Sequence, residues 1–225
     1  CWTRQSEESI PMWKMYSSNL CGVRIGMREY PFHEYNHRKG EGHFTEDCTS
    51  YFDERILNEG SGMIAPKGLQ LKSIKYTDDI NELNPQVHST NSPELLQRFL
   101  QGASMQECSG FNGSFSFDGI GICKPVCWKF QEEIRYWVLV SPMTLRECET
   151  TPLFDVQREL YRRVLDKNTP VPYEFLDMKL AEDALDNCEI MVGPRTSIGE
   201  KIIVQDLIEK YRPSATFRES MVRIN

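Results

Sequence analysis

An α+β fold is predicted for this chain by three observations: helices with readable caps, strand-like runs mixed among them without a strict β-α-β alternation, and a globular composition. With 225 residues, 40% hydrophobic and 26% charged, the chain can bury a substantial core. We expect a single domain over residues 1–225, built from a mixed, mostly antiparallel sheet with packed helices. Cys1 opens directly into ordered-looking sequence with no initiator methionine, so an upstream segment is expected to be missing.

Strands are expected over residues 22–27, 69–76, 114–118, 134–140, 189–192 and 215–218, where β-branched and aromatic residues concentrate between turn formers. The first clear helix starts at Ser92, followed by Pro93, with Leu95, Leu96, Phe99 and Leu100 on one face and Gly102 as its stop. Thr151 and Pro152 repeat that start signal ahead of Leu153, Val156, Leu160, Val164 and Leu165. Asp177 is expected to cap a helix over 180–185. Ser197 and Glu200 form a capping box before Ile202, Ile203, Leu207 and Ile208, an apolar stripe that runs to about Tyr211. Residues 30–62 and 77–91 carry no clear periodicity, and the first is expected to be a polar excursion.

A net charge of -7 makes the average surface repel phosphate, so generic nucleic-acid binding is not expected. The longest apolar run is 136–140, far short of the roughly 20 residues of a membrane-spanning helix. Eight cysteines without a C-x-x-C pair suggest reduced thiols and a cytoplasmic location. Cys123 and Cys127 lack the second pair that a zinc knuckle needs. No Gly-rich phosphate loop is present.

Residues 33–43 match H-E-x-x-H-x-x-G-x-x-H in full. In a metzincin-like zinc peptidase, His33 and His37 would bind the metal from one helix face, His43 would close the site and Glu34 would act on the bound water. That chemistry requires a helix, yet Pro31 lies just upstream and Arg38, Lys39, Gly40, Glu41 and Gly42 follow, with no apolar stripe to anchor one. The context favours a solvated excursion with incidental histidines.

Three segments carry a further pattern. The first runs from Cys1-Trp2-Thr3-Arg4 to Glu8, then Met12-Trp13-Lys14-Met15-Tyr16-Ser17 and Gly22-Val23-Arg24-Ile25. The second runs from Lys124 to Tyr136 and includes Trp128, Gln131, Glu133 and Arg135; the third comprises 190–194, the helix after it, and 220–224. Together they resemble the bacterial family known as domain of unknown function 2971, over about half the chain. The resemblance implies a Met-Trp-x-x-Tyr helix between two strands, and an additional strand and helix ahead of Cys1. Gln131 stands where the family has the first of two glutamates.

On a strand beginning near Gln131, alternation would put Gln131, Glu133 and Arg135 on one face beside Trp137. Gln-x-Glu at a strand entrance is also similar to the signature of ADP-ribosyltransferases. That similarity implies catalysis by Glu133 with Arg135 and Gln131, and NAD held by Arg4 or Arg24 and by Tyr16 or Trp13. Such an enzyme, or another nucleotide-using one, is one expectation; a non-catalytic sensing or interaction module of the same family is the second, and the zinc peptidase the third. The transferase requires Glu133 to open into an aromatic-walled pocket, and the interaction module predicts a sizeable exposed apolar patch and no convergent polar cleft.

Overall fold

The computed structural model describes residues 2–42, 44–58, 60–166, 168–170 and 173–223. The fold is α+β, as the sequence predicts, and antiparallel pairings predominate. The chain separates into two compact units, each assembled from discontinuous segments: Cys1–His33, Pro125–Arg135 and Met178–Asn225 form the first, and Glu34–Lys124 with Tyr136–Asp177 the second.

The first unit is organised on a three-stranded sheet. Strand Glu189–Val192 lies at its centre, antiparallel to Val23–Gly26 and parallel to Thr216–Glu219. Parallel neighbours need a crossover, and the helix Ile198–Tyr211 supplies it, opened by the predicted Ser197–Glu200 capping box. Met191, Trp13 and Leu20 form the core cluster under helix Ile10–Tyr16. Gly193 lets two backbones meet: a Cβ there would stand 2.3 Å from the Leu20 carbonyl oxygen, so only glycine fits. Strand Trp2–Thr3 pairs with the start of Glu133–Trp137, Thr3 opposite Glu133.

The second unit is a set of two-stranded pairings around helices. Its core joins Phe99, Cys108 and Tyr161, with Phe111, Phe115 and Phe154 packed against them. The ring of Tyr161 lies 4.2 Å from that of Phe115, and Phe99 meets Phe154 edge-on at 5.1 Å. Helix Leu153–Leu165 ties down the end of helix Pro93–Leu100 through arginines: Arg158 donates to the Phe99 and Ala103 carbonyls, and Arg162 to that of Leu100. These bonds satisfy carbonyls that a helix C-terminus leaves without intrahelical partners.

Several expectations are corrected. The predicted strand over 134–140 is two pieces, Glu133–Trp137 and Val140–Ser141. Gln131 ends a 3-10 helix, Val126–Gln131, instead of starting the strand. Asp177 caps no helix; residues 182–187 form turns. The helix expected from Thr151 begins at Leu153, because Thr151 already closes a preceding helix, Leu145–Thr150, which has its own capping box in Thr144 and Glu147. The excursion over 30–62 holds a hairpin, Tyr35–His37 against Cys48–Ser50, and the helix Glu54–Asn58. In helix Ile198–Tyr211 only Ile208 is buried, while Ile202, Ile203 and Leu207 are 52%, 60% and 50% exposed.

Two predictions follow from the second unit. The Tyr161 hydroxyl is buried and has no hydrogen-bond partner among the described residues. Deleting an unsatisfied polar group removes its desolvation penalty, so Tyr161→Phe should raise stability by about 1 kcal/mol in urea denaturation; a loss of stability would show that the hydroxyl is bonded. The second concerns Glu147, whose carboxyl the Arg163 guanidinium, with help from the Thr144 amide, lowers from 4.5 to about 2. A depressed carboxylate stabilises the fold above its unfolded pKa and loses that contribution as pH falls through the folded one. The stability gap between wild type and Arg163→Met should therefore narrow from pH 4.5 down to about 2; a gap independent of pH would contradict this.

Candidate functional site

The opening of the chain builds a cleft in the first unit. Pro11 in the first turn suits the start of helix Ile10–Tyr16, and that helix turns Trp13 inward, 7% exposed, while Tyr16 on the same side stays 53% exposed. Facing them is the strand Val23–Gly26, which contributes Arg24. Between helix and strand lies a cavity of about 220 Å³ whose walls include Glu8, Met12, Trp13, Tyr16 and Arg24. Three residues foreseen as cofactor contacts, Trp13, Tyr16 and Arg24, are thus gathered in one place.

Glu8 holds this cleft together. Its Oε1 accepts from the Trp13 indole at 3.1 Å and from the Ser220 hydroxyl at 2.5 Å, and its Oε2 accepts from the Met221 amide at 2.7 Å. Burial pushes the carboxyl up, but the bonds from Ser220, Met221 and Trp13 and the Arg24 charge outweigh it, so Glu8 sits below its ordinary pKa. Arg24 is paired with Glu189 at 2.9 Å, and its other amino group reaches the Ser6 and Glu7 carbonyls only at 3.4 and 3.5 Å. Tyr16 is steadied by Gln131, whose amide donates to the phenol oxygen at 3.2 Å.

The predicted catalytic group is placed differently. Glu132 adopts a left-handed conformation, φ 42° and ψ 46°, between Gln131 and Glu133. That turn breaks the alternation which would have put Gln131, Glu133 and Arg135 on one strand face. Gln131 is fully buried, its backbone carbonyl accepting from the Thr3 hydroxyl at 2.7 Å. Glu133 is sealed, its side chain 8% exposed and gripped by Arg135 at 2.7 Å. Among the described residues lining the cleft, none of Gln131, Glu133 and Arg135 is present.

The histidine motif has no helix beneath it among the described residues of 33–43. His37 lies buried on the strand Tyr35–His37, its Nε2 3.1 Å from the Phe52 carbonyl and its ring stacked on Phe44 at 4.4 Å. His33 precedes that strand, with its amide bonded to the Lys179 carbonyl. His43 lies outside the described residues, as do Cys1 and Ile224 of the family-like segments. Among the described residues no group of three or more His, Cys, Asp or Glu could hold a metal, and no helix is long and apolar enough to cross a membrane.

Sequence reasoning missed Glu8, Glu189 and Arg218. Glu8 lay within the family-like opening, but its partners Ser220 and Met221 are more than 200 residues away, so no local pattern marks it. Arg135→Met should cost about 1–3 kcal/mol in urea denaturation, because it strips a buried carboxylate of its guanidinium; an unchanged stability would mean that Glu133 does not depend on this pair.

No protein-family model, curated protein or solved structure matches this chain.

Proposed function

We propose that the chain is a non-catalytic sensing module, one of the roles implied by the resemblance of its opening segment, and that it takes a small planar ligand in the Trp13–Tyr16 cleft. One observation carries this reading: the aromatic and cationic side chains gather around the cleft while Glu133 is sealed in its pair with Arg135 and is not among the residues lining it. A transferase needs its carboxylate against the ribose as positive charge develops there, and a carboxylate engaged this way is poorly placed for that task.

The dimensions favour a compact ligand. A cavity of about 220 Å³ lies below the range of roughly 300–1,000 Å³ of drug-sized sites, so it suits one ring system better than a whole dinucleotide. Tyr16 offers an exposed ring face for stacking, and Gln131 and Glu8 restrain the two aromatic side chains before any ligand arrives. Arg24 supplies hydrogen-bond donors at the cleft edge.

Calorimetric titration with nicotinamide and with adenosine, on wild type and Tyr16→Ala, tests the cleft. Binding by at least one of them should weaken about tenfold or more in the variant, as expected for a lost stacking contact. NAD supplied to the wild type should release no nicotinamide. Nicotinamide release that disappears in Glu133→Gln would overturn this reading in favour of the transferase.

A further inference from the structure

A second hollow of about 840 Å³ adjoins the cleft, and the two share Thr3, Gln5, Arg24 and Ile25 on their walls. Arg218 and Glu189 line that second hollow. The sheet register explains the grouping: Arg24 and Arg218 both stand opposite Met191, one on each neighbouring strand, so their side chains share a face with Glu189 two residues away. Glu189 divides its carboxylate between them, with Oε1 to Arg24 at 2.9 Å and Oε2 to Arg218 at 3.0 Å.

One carboxylate cannot saturate two guanidiniums, each of which carries five N–H donors. Among the described residues, Arg24 keeps an amino group with only the two long carbonyl contacts. Arg218 is engaged through Nε alone among the described residues, and its side chain is 59% exposed. The third arginine of the hollow, Arg28, is different: Asp183 holds both of its terminal amino groups at 2.8 Å. Asp186 adds a further negative charge to the wall. Across both hollows five carboxylates, Glu7, Glu8, Asp183, Asp186 and Glu189, face three arginines, so Arg24 and Arg218 offer no net positive charge; what they offer is guanidinium donors that their shared partner Glu189 leaves unused.

Resting on the reading of the cleft as a planar-ligand site, we propose that the ligand is a nucleoside monophosphate. Its base stacks at Tyr16, and its phosphate is held by the free donors of Arg24 and Arg218. Guanidinium groups bind phosphate through paired N–H donors in a fixed fork, a geometry that a lone point charge lacks. Arg24 lines both hollows and links the two halves of the ligand.

The test is calorimetry at low salt with adenosine, AMP, nicotinamide riboside, nicotinamide mononucleotide and inorganic phosphate, on wild type and Arg218→Gln. At least one monophosphate should bind tenfold or more tighter than its nucleoside, and Arg218→Gln should erase most of that advantage. Circular dichroism should show the variant folded, since its side chain is exposed. Nucleoside and monophosphate binding equally would overturn the phosphate site while leaving the planar-ligand cleft standing. Binding of none of the five would overturn both readings. Phosphate alone binding as tightly as the monophosphates would reduce the site to a simple anion site and overturn the nucleotide assignment.

Discussion

The first unit depends on one carboxylate. Glu8 joins the entrance of the helix Ile10–Tyr16 to Ser220 and Met221, just past the last strand of the sheet, and it fixes the Trp13 indole in the same gesture. Without that anchor, the helix would be held mainly by the small apolar cluster of Trp13, Leu20 and Met191. A seven-residue helix is too short to be stable by itself. The geometry of the cleft is therefore a tertiary product: a charged acceptor collects donors from both ends of the chain, and the aromatic wall is positioned as a result.

The second unit solves a similar problem with arginines and aromatic rings. Its strands pair mostly in twos, which leaves little cooperative sheet to rely on. Packing is concentrated instead where Phe99, Phe111, Phe115, Phe154 and Tyr161 meet, in the tilted and edge-on arrangements that aromatic quadrupoles favour. Arg158 closes this cluster, with its guanidinium 5.0 Å from the Phe154 ring and its donors on carbonyls at the end of the neighbouring helix. Tyr161 shows the cost of such packing, because its hydroxyl is carried into the cluster with nothing to bond among the described residues.

Local signals in the sequence were reliable where the interaction that sets a boundary is itself local. Ser197 with Glu200, and Ser92 with Pro93, marked helix starts that the structure keeps, because a capping bond spans three residues and needs nothing else. Strand 189–192 was legible from its apolar, β-branched content. Pairings were not legible, since Glu189 meets Gly26 and Thr216 at separations no pattern records. Burial was only partly legible. The stripe of Ile202, Ile203 and Leu207 has helical spacing but remains exposed, while Ile208 alone of that helix is buried. Trp13, Tyr16 and Arg24 were named through the similarity of the Gln131–Glu133 entrance to ADP-ribosyltransferases, whereas Glu8, Glu189 and Arg218 matter only through contacts formed after folding.

Two motifs in this chain also show why residue type and spacing do not define a site until a backbone is specified. The histidine pattern needs 3.6-residue periodicity to bring its first two rings together, and the segment adopts a hairpin, where His37 is spent on a Phe52 carbonyl and on stacking with Phe44. The Gln131–Glu133 pattern needs two-residue periodicity, and a single left-handed residue, Glu132, removes it. Glu132 pays little for this conformation in packing terms because it has an exposed side chain; its effect is to send Gln131 toward Tyr16 and leave Glu133 to Arg135. One left-handed residue thereby separates the residue that supports the cleft from the residue expected to act in it.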